Sequence, residues 1–122
     1  MHTQKRRTVL RAFAAAAAAL TLAGAAFGQT TEDIRKKGVL RVGILADLPP
    51  WGFVGRDGKA AGYDADVAAL LGKKLGVPVE FTGTTSAART ALLMTGKVDL
   101  LIATVGMYPD RAKVVQFSKP YA

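Results

Sequence analysis

Asp64-Ala65-Asp66-Val67-Ala68-Ala69-Leu70-Leu71-Gly72-Lys73-Lys74-Leu75-Gly76-Val77-Pro78-Val79-Glu80-Phe81-Thr82 changes its period partway along. Val67, Ala68, Leu71 and Leu75 recur at the three-to-four spacing of one helical face. Asp64 is a natural N-cap for a helix over Ala65–Leu75, because a side-chain oxygen there accepts from an orphan backbone N–H. Gly76 ends that helix and Pro78 keeps it from resuming. Val77–Thr82 then reads as a strand. A helix delivered straight into a short apolar strand is half of a β-α-β unit, whose partner strands lie on either side in the sequence.

Upstream, Val39-Leu40-Arg41-Val42-Gly43-Ile44-Leu45 reads as a buried strand, short and β-branched. Thr30 or Thr31 caps a short helix over Glu32–Lys37 before it, with acids at the start, bases at the end and Gly38 as the stop. Leu48-Pro49-Pro50-Trp51-Gly52 is a loop, since two prolines remove ladder donors. Phe53-Val54 and Ala60-Ala61 flank an Asp57-Gly58 turn and read as a hairpin.

Downstream, Ser86 is placed to cap a helix over Ala87–Thr95, closed by Gly96. Val98–Ala103 reads as the third core strand. Pro109 suits the first turn of a short helix. Val114–Phe117 reads as extended, up to Pro120. Strand, helix, strand, helix, strand alternation predicts an α/β fold with a parallel sheet flanked by helices. Ligands of such sheets gather beyond the carboxyl ends of the strands, here Ala46–Trp51, Gly83–Ser86 and Ala103–Arg111.

Residues 1–28 follow a different logic. Lys5, Arg6, Arg7 and Arg11 precede an Ala- and Leu-rich run from Ala12 to Ala23, and small residues lead to Gly28. That is the pattern of a secretory signal peptide, with a mature start near Gln29 and export to the periplasm. Arg6-Arg7-Thr8-Val9-Leu10-Arg11 also suits the twin-arginine route, beside the Sec route. The run is too short to cross ~30 Å of hydrocarbon comfortably.

The leader explains much of the charge. Four of the 17 basic residues lie in it, and the remaining 13 face 9 acidic ones, scattered along the chain. A nucleic-acid reader clusters its basic residues and interleaves aromatics, so no nucleic-acid partner is expected. With no Cys, and His2 as the single His, thiol nucleophiles, a Ser-His-Asp triad and His- or Cys-ligated metal sites are excluded from residues 29–122. No cofactor and no metal are expected.

Five stretches in order carry a resemblance: Leu40–Gly43 with Asp47-Leu48-Pro49-Pro50-Trp51; Gly62-Tyr63-Asp64-Ala65-Asp66-Val67; Leu75-Gly76-Val77; Arg89 with Thr95-Gly96-Lys97-Val98-Asp99-Leu100; and Pro109-Asp110-Arg111-Ala112-Lys113 with Phe117-Ser118-Lys119-Pro120-Tyr121. Together they resemble the solute-binding proteins, family 3, that serve bacterial amino-acid ABC importers. The resemblance spans residues 29–122. It implies a periplasmic-binding-protein-like type II fold, in which two lobes close over a ligand by a hinge. On that reading residues 29–122 are the first lobe, and an incomplete one. Such a chain alone is expected to hold an amino acid less tightly than a two-lobed relative.

By the same resemblance, Arg111 matches the arginine that binds the ligand's α-carboxylate, for which a planar, permanently charged fork is suited. Thr104 and Gly106 line the loop before it. Gly106 stands where the family usually has Ser or Thr, and Tyr108 where it usually has Thr, so a hydroxyl is lost while the Gly106 N–H remains. Trp51 either packs on the ligand or fills the lobe's own core. Leu48 takes the place of a frequent aromatic. Asp47 either attracts a cationic side chain or caps a turn. Arg89, at the cleft edge, is a ligand contact or a strut. Asp64 and Asp66 form a carboxylate pair, but a cap and a first-turn acid explain them better, and no catalytic residue is assigned. Asp99 is read as structural.

The implied role is capture of an amino acid in the periplasm, by a monomer, and delivery to an ABC permease in the inner membrane, without enzymatic chemistry. Two other roles share the scaffold. One is a periplasmic cyclohexadienyl or arogenate dehydratase-like enzyme, which needs an acid in the cleft. The other is the ligand-sensing domain of a membrane receptor.

Overall fold

The computed structural model describes residues 29–122; the signal-peptide reading of 1–28 lies outside the described residues. Thr30 caps helix α1 (Thr31–Lys37). The Asp33 N–H donates to Thr30 Oγ1 at 3.2 Å, and the Thr30 N–H donates to the Asp33 carboxylate at 3.0 Å. These two bonds satisfy orphan donors reciprocally. Gly38 closes the helix in the left-handed region, φ 79°.

Strand β1 (Leu40–Leu45) follows, with Leu40, Val42, Ile44 and Leu45 all buried. The chain then builds a small antiparallel sheet from β2 (Asp47–Leu48), β3 (Gly52–Val54) and β4 (Ala60–Ala61). Helix α2 (Tyr63–Leu75) leads into β5 (Val79–Thr84), and helix α3 (Arg89–Met94) into β6 (Leu100–Leu101). A last short helix, α4, spans Pro109–Ala112.

The main sheet is parallel, in the order β5-β1-β6. β5 runs alongside all of β1, from Leu40 opposite Val79 to Leu45 opposite Thr84. β6 pairs Leu100 with Val42 and Leu101 with Gly43. Ile34, Leu40, Val42, Ala68 and Ile102 form the buried core, with Leu71, Leu75, Val79 and Phe81 packed against it. Each buried Leu, Ile or Val contributes about 1.5–3 kcal/mol. Gly72 of α2 is buried, and a Cβ there would run into the Val79 side chain; its absence lets α2 lie close on β5.

Asp99 ties the N-terminal helix to the sheet. Its carboxylate accepts from Lys37 at 2.6 Å, from the Arg41 guanidinium at 2.8 Å and from the Arg41 N–H at 2.9 Å. Burial pushes this carboxyl up, but those bonds outweigh it and hold the group down at about 2. The structural reading of Asp99 agrees with this placement.

Four local expectations are corrected. Asp64 does not cap α2: the helix starts two residues earlier, Gly62 occupies the cap position, and no side chain closes it. Gly62 has φ 105°, and a Cβ there would come within 2.5 Å of the Trp51 carbonyl oxygen. The approach that only glycine permits lets the Asp64 N–H reach that carbonyl at 2.8 Å. Ser86 does not cap α3 either. Thr85 Oγ1 accepts from the Ala88 N–H at 3.3 Å, and the helix proper begins at Arg89.

The third core strand is shorter than Val98–Ala103: it is Leu100–Leu101, flanked by the Asp99 N–H donating to Arg41 O at 2.9 Å and the Ile102 N–H donating to Gly43 O at 3.0 Å. Val114–Phe117 is not a strand. The Val114 and Val115 N–H groups both donate to Arg111 O at 3.0 Å and fold the chain back.

Candidate functional site

The segment after β6 is the centre of the expected site. It contains Ala103–Arg111 and two arginines hold it. Arg89 is the first residue of α3 and is only 8 % exposed. Its Nη1 donates to Ala103 O at 2.7 Å and reaches Thr104 O at 3.5 Å. Its Nε is buried without a partner. Burial pushes its pKa down, and the charge of Arg111 nearby adds to that. Arg111, in α4, donates from Nη1 to Gly106 O at 3.1 Å. Arg89, Thr104, Gly106 and Arg111 are therefore brought together, as the sequence suggested. Thr104 sits at the bend, in a left-handed conformation that costs a β-branched residue free energy, and the Arg89 bonds on either side of it stabilise that bend.

Tyr108 joins this group through Arg111. The guanidinium carbon lies 5.0 Å from the centre of the Tyr108 ring, a cation–π contact. A Cβ on Gly106 would stand 2.7 Å from the same ring. The missing hydroxyl at 106 and the tyrosine at 108 are thus one feature: the ring occupies the space that a Ser or Thr side chain would take.

The other expected residues lie across the sheet end, beyond β1. Asp47 and Leu48 form β2 and are exposed. Pro49 and Pro50 are joined by a cis bond. Trp51 is 39 % exposed and meets Tyr63 edge-on at 5.6 Å. Tyr63 in turn stacks on Tyr121 at 6.2 Å, and its hydroxyl donates to Tyr121 O at 3.2 Å. Trp51 therefore packs edge-on against Tyr63 and presents a face to solvent; it does not fill the lobe's buried core.

Tyr63, Asp64 and Tyr121 were not singled out as site residues. Asp64 is fully buried, accepts from the Tyr121 hydroxyl at 3.1 Å, and leaves its second oxygen unpartnered. Burial raises its carboxyl above the usual range, and the Tyr121 bond only partly opposes this. Tyr121 is pushed up to about 12 by burial and by the Asp64 charge, with the Thr104 backbone N–H pulling the other way. The Gly62-Tyr63-Asp64 motif was the available signal, but the cap reading absorbed it.

Among the described residues no group of three His, Cys, Asp or Glu side chains is placed to hold a metal. An open, apolar hollow of about 550 Å³ runs along α4, lined by Met107, Tyr108, Ala112, Val115 and Phe117. It contains neither arginine. The arginine-held loop carries two permanent cations, and neither is in ion-pair contact with a carboxylate among the described residues.

Comparison with known proteins agrees with the fold. A profile of the bacterial extracellular solute-binding proteins, family 3, matches residues 40–122, and the chain belongs to that family. It is 34% identical to the L-cystine-binding protein TcyJ of Escherichia coli (strain K12) over 88 residues, 72% of this chain and 33% of that protein. It therefore spans about a third of the length of this curated relative.

Among solved structures, the arginine-bound form of domain 1 from TmArgBP of T. maritima matches with a TM-score of 0.69 at 37% identity, covering 73% of this chain and 71% of that one. An ancestral cationic amino acid solute-binding protein, AncCDT-1, matches with a TM-score of 0.73 at 42% identity, over 77% of this chain and 41% of that one. The periplasmic-binding-protein-like fold is thereby shown, and the chain covers part of the full domain.

Proposed function

We propose that residues 29–122 form the first lobe of a periplasmic amino-acid-binding protein, exported by a signal peptide over residues 1–28. It works as a monomer and delivers its ligand to an ABC permease in the inner membrane. Arg111 takes the α-carboxylate in a bidentate grip. Thr104 and the Gly106 backbone flank it, Arg89 holds the loop, and Asp47, Leu48 and Trp51 border the rest of the ligand.

The observation that carries this reading is the Arg111 guanidinium. It is half-buried over the Tyr108 ring, fastened by one N–H to Gly106 O, and without an acidic partner among the described residues. Fixed from below, it presents its remaining donors to whatever anion arrives. Hinge closure of a second lobe would then enclose the ligand, with no covalent step. The relative recorded as a single arginine-bound domain supports capture by one lobe.

The test is calorimetry of the purified chain with free L-amino acids and with their α-amides. Binding of the acids and loss of binding for the amides is the expected result. Equal binding of both contradicts a carboxylate grip.

One observation favours a second reading. The buried Asp64 is a carboxyl of raised pKa, the kind of acid that an elimination enzyme needs. AncCDT-1 is also described as a precursor of cyclohexadienyl dehydratase. Incubating the chain with prephenate or arogenate decides it: product formation makes the protein an enzyme, and unchanged substrate leaves it a binder.

A further inference from the structure

Arg35, Lys36 and Lys37 close α1, Lys73 and Lys74 lie in the last turn of α2, and Lys97 follows α3. In sequence these bases come from three separate stretches, but the fold brings them to one end. Each helix delivers the chain to the amino end of a parallel strand, α1 to β1, α2 to β5 and α3 to β6. The three helix exits therefore meet at the end of the sheet opposite Ala46–Trp51 and Ala103–Arg111. Backbone and side-chain bonds fasten them there. Arg35 Nε donates to Leu75 O at 3.4 Å, the Leu40 N–H to Pro78 O at 2.9 Å, and Lys37 Nζ to the Asp99 carboxylate at 2.6 Å.

All of these bases are exposed. The acids close by are already engaged or few. Asp99 is taken by Lys37 and Arg41, and Asp33 by Thr30. Glu80 stands opposite Arg41 across the β1–β5 register. Lys36, Lys73, Lys74 and Lys97 enter no ion pair among the described residues. A base in the last turn complements the helix dipole, but a helix end carries only about half a negative charge. The bases gathered here exceed what those helix ends call for.

All but Arg35 are lysines, flexible point charges without the fixed fork that reads a single carboxylate or phosphate. The exposed rings of Trp51, Tyr63, Tyr108 and Tyr121 lie at the other end of the sheet, so none is offered here for stacking on a base. The apolar hollow runs along α4, away from these lysines. Such a surface fits an extended layer of negative charge and requires no register with it. We propose that this basic end docks on the anionic phospholipid headgroups of a membrane.

Attraction to such a layer rises about fivefold per lysine and fades within a Debye length, so the contact is reversible and salt-sensitive. It sets the amino ends of the strands against the bilayer. Trp51 and the arginine-held loop then face away, separated from it by the six residues of β1, a rise of about 20 Å. This surface is separate from the amino-acid site, and either can fail while the other stands.

The test is co-sedimentation of the full chain with mixed phosphatidylglycerol–phosphatidylcholine vesicles, against phosphatidylcholine alone, at low and high salt. Residues 1–28 carry bases of their own, so each comparison is between chains that share them. Lys36→Gln, Lys73→Gln and Lys74→Gln together are expected to lower partition onto the anionic vesicles at least about tenfold. Arg56→Gln, Lys59→Gln and Lys119→Gln, an equal loss of charge elsewhere on the surface, are expected to leave it within about twofold. Equal losses for the two sets, or no preference of the unmodified chain for the anionic vesicles, overturns the proposal. Duplex DNA bound through the same lysines more tightly than the vesicles, at matched phosphate, overturns the membrane as the occupant. Trp51 is the single tryptophan, and a quencher carried on the lipid headgroups is expected to leave its fluorescence unchanged when the unmodified chain docks. Strong quenching places the other end of the sheet on the bilayer and contradicts the proposal, whether or not the variants fold.

Discussion

The Tyr121 hydroxyl donates to the Asp64 carboxylate at 3.1 Å, joining residues 57 positions apart. Tyr63, next to Asp64, completes the grip by stacking on the Tyr121 ring and donating to its carbonyl oxygen. The last residues of the chain are thus held to the first turn of α2 by a buried acid and two rings. Removing the Tyr121 hydroxyl leaves Asp64 with no partner for either oxygen. Tyr121→Phe is expected to destabilise the fold by about 1–3 kcal/mol, read from the urea midpoint.

The same acid predicts a pH dependence. Burial raises the Asp64 carboxyl in the folded state above its unfolded value of about 3.9. Between those two values the folded chain holds a proton that the unfolded chain has released. Stability from this group therefore increases as pH falls from neutral through the raised pKa, and levels off below about 3.9. Asp64→Asn keeps an acceptor for Tyr121 and removes the titration. The variant is expected to lose this acid-side gain, measured as thermal midpoints from pH 7 down to pH 4.

Asp99 acts in the opposite sense. Its folded carboxyl is held at about 2, below the unfolded value of about 3.9. The stabilisation is complete above the unfolded value and is lost as pH falls toward 2. Asp99→Asn leaves Lys37 and the Arg41 side chain without their ion pair and is expected to cost about 2–3 kcal/mol at neutral pH. In the unmodified chain the two acids therefore pull stability in opposite directions as pH falls, Asp64 raising it from neutral and Asp99 lowering it below about 3.9. Urea unfolding across pH measures it.

Gly106 and Tyr108 are expected to behave as one unit. Adding a side chain at 106 drives its Cβ into the Tyr108 ring, which supports Arg111. Gly106→Ser alone is expected to weaken amino-acid binding about tenfold or more, and Tyr108→Thr alone by less. Combined, the ring is gone and the hydroxyl has room, so the double variant is expected to bind better than Gly106→Ser. That non-additivity, read by calorimetry, is the signature of direct contact.

Most of the fold was legible because its signals are local. Alternating strands and helices, Gly38 and Gly76 as stops, and the apolar period of α2 each specify their own segment. The errors fell where a distant backbone group overrode a local preference. Asp64 has the chemistry of a cap, yet Gly62 brings the chain so close to Trp51 O that the helix starts earlier and the carboxylate turns inward. Thr85, one residue before the expected cap Ser86, makes the turn into α3.

The grouping of the expected residues was legible in part. Arg111, Thr104, Gly106 and Arg89 cluster because the family-like stretches place them on one loop and one helix start. Asp47, Leu48 and Trp51 lie at the end of a different strand. The row Trp51–Tyr63–Tyr121 was not legible, because its members come from three stretches and meet only through tertiary packing. Nor was the buried environment of Asp64, which depends on Tyr121 closing over it.

Arg111 remains the residue on which the functional reading turns. Calorimetry of the chain and of its Arg111→Gln variant, titrated with the tightest-binding free amino acid at matched folded stability, tests that directly. Removing a charged partner from the ligand's carboxylate is expected to weaken binding by at least about 2 kcal/mol, roughly thirtyfold. A variant that captures the amino acid as tightly as the unmodified chain would contradict the assignment.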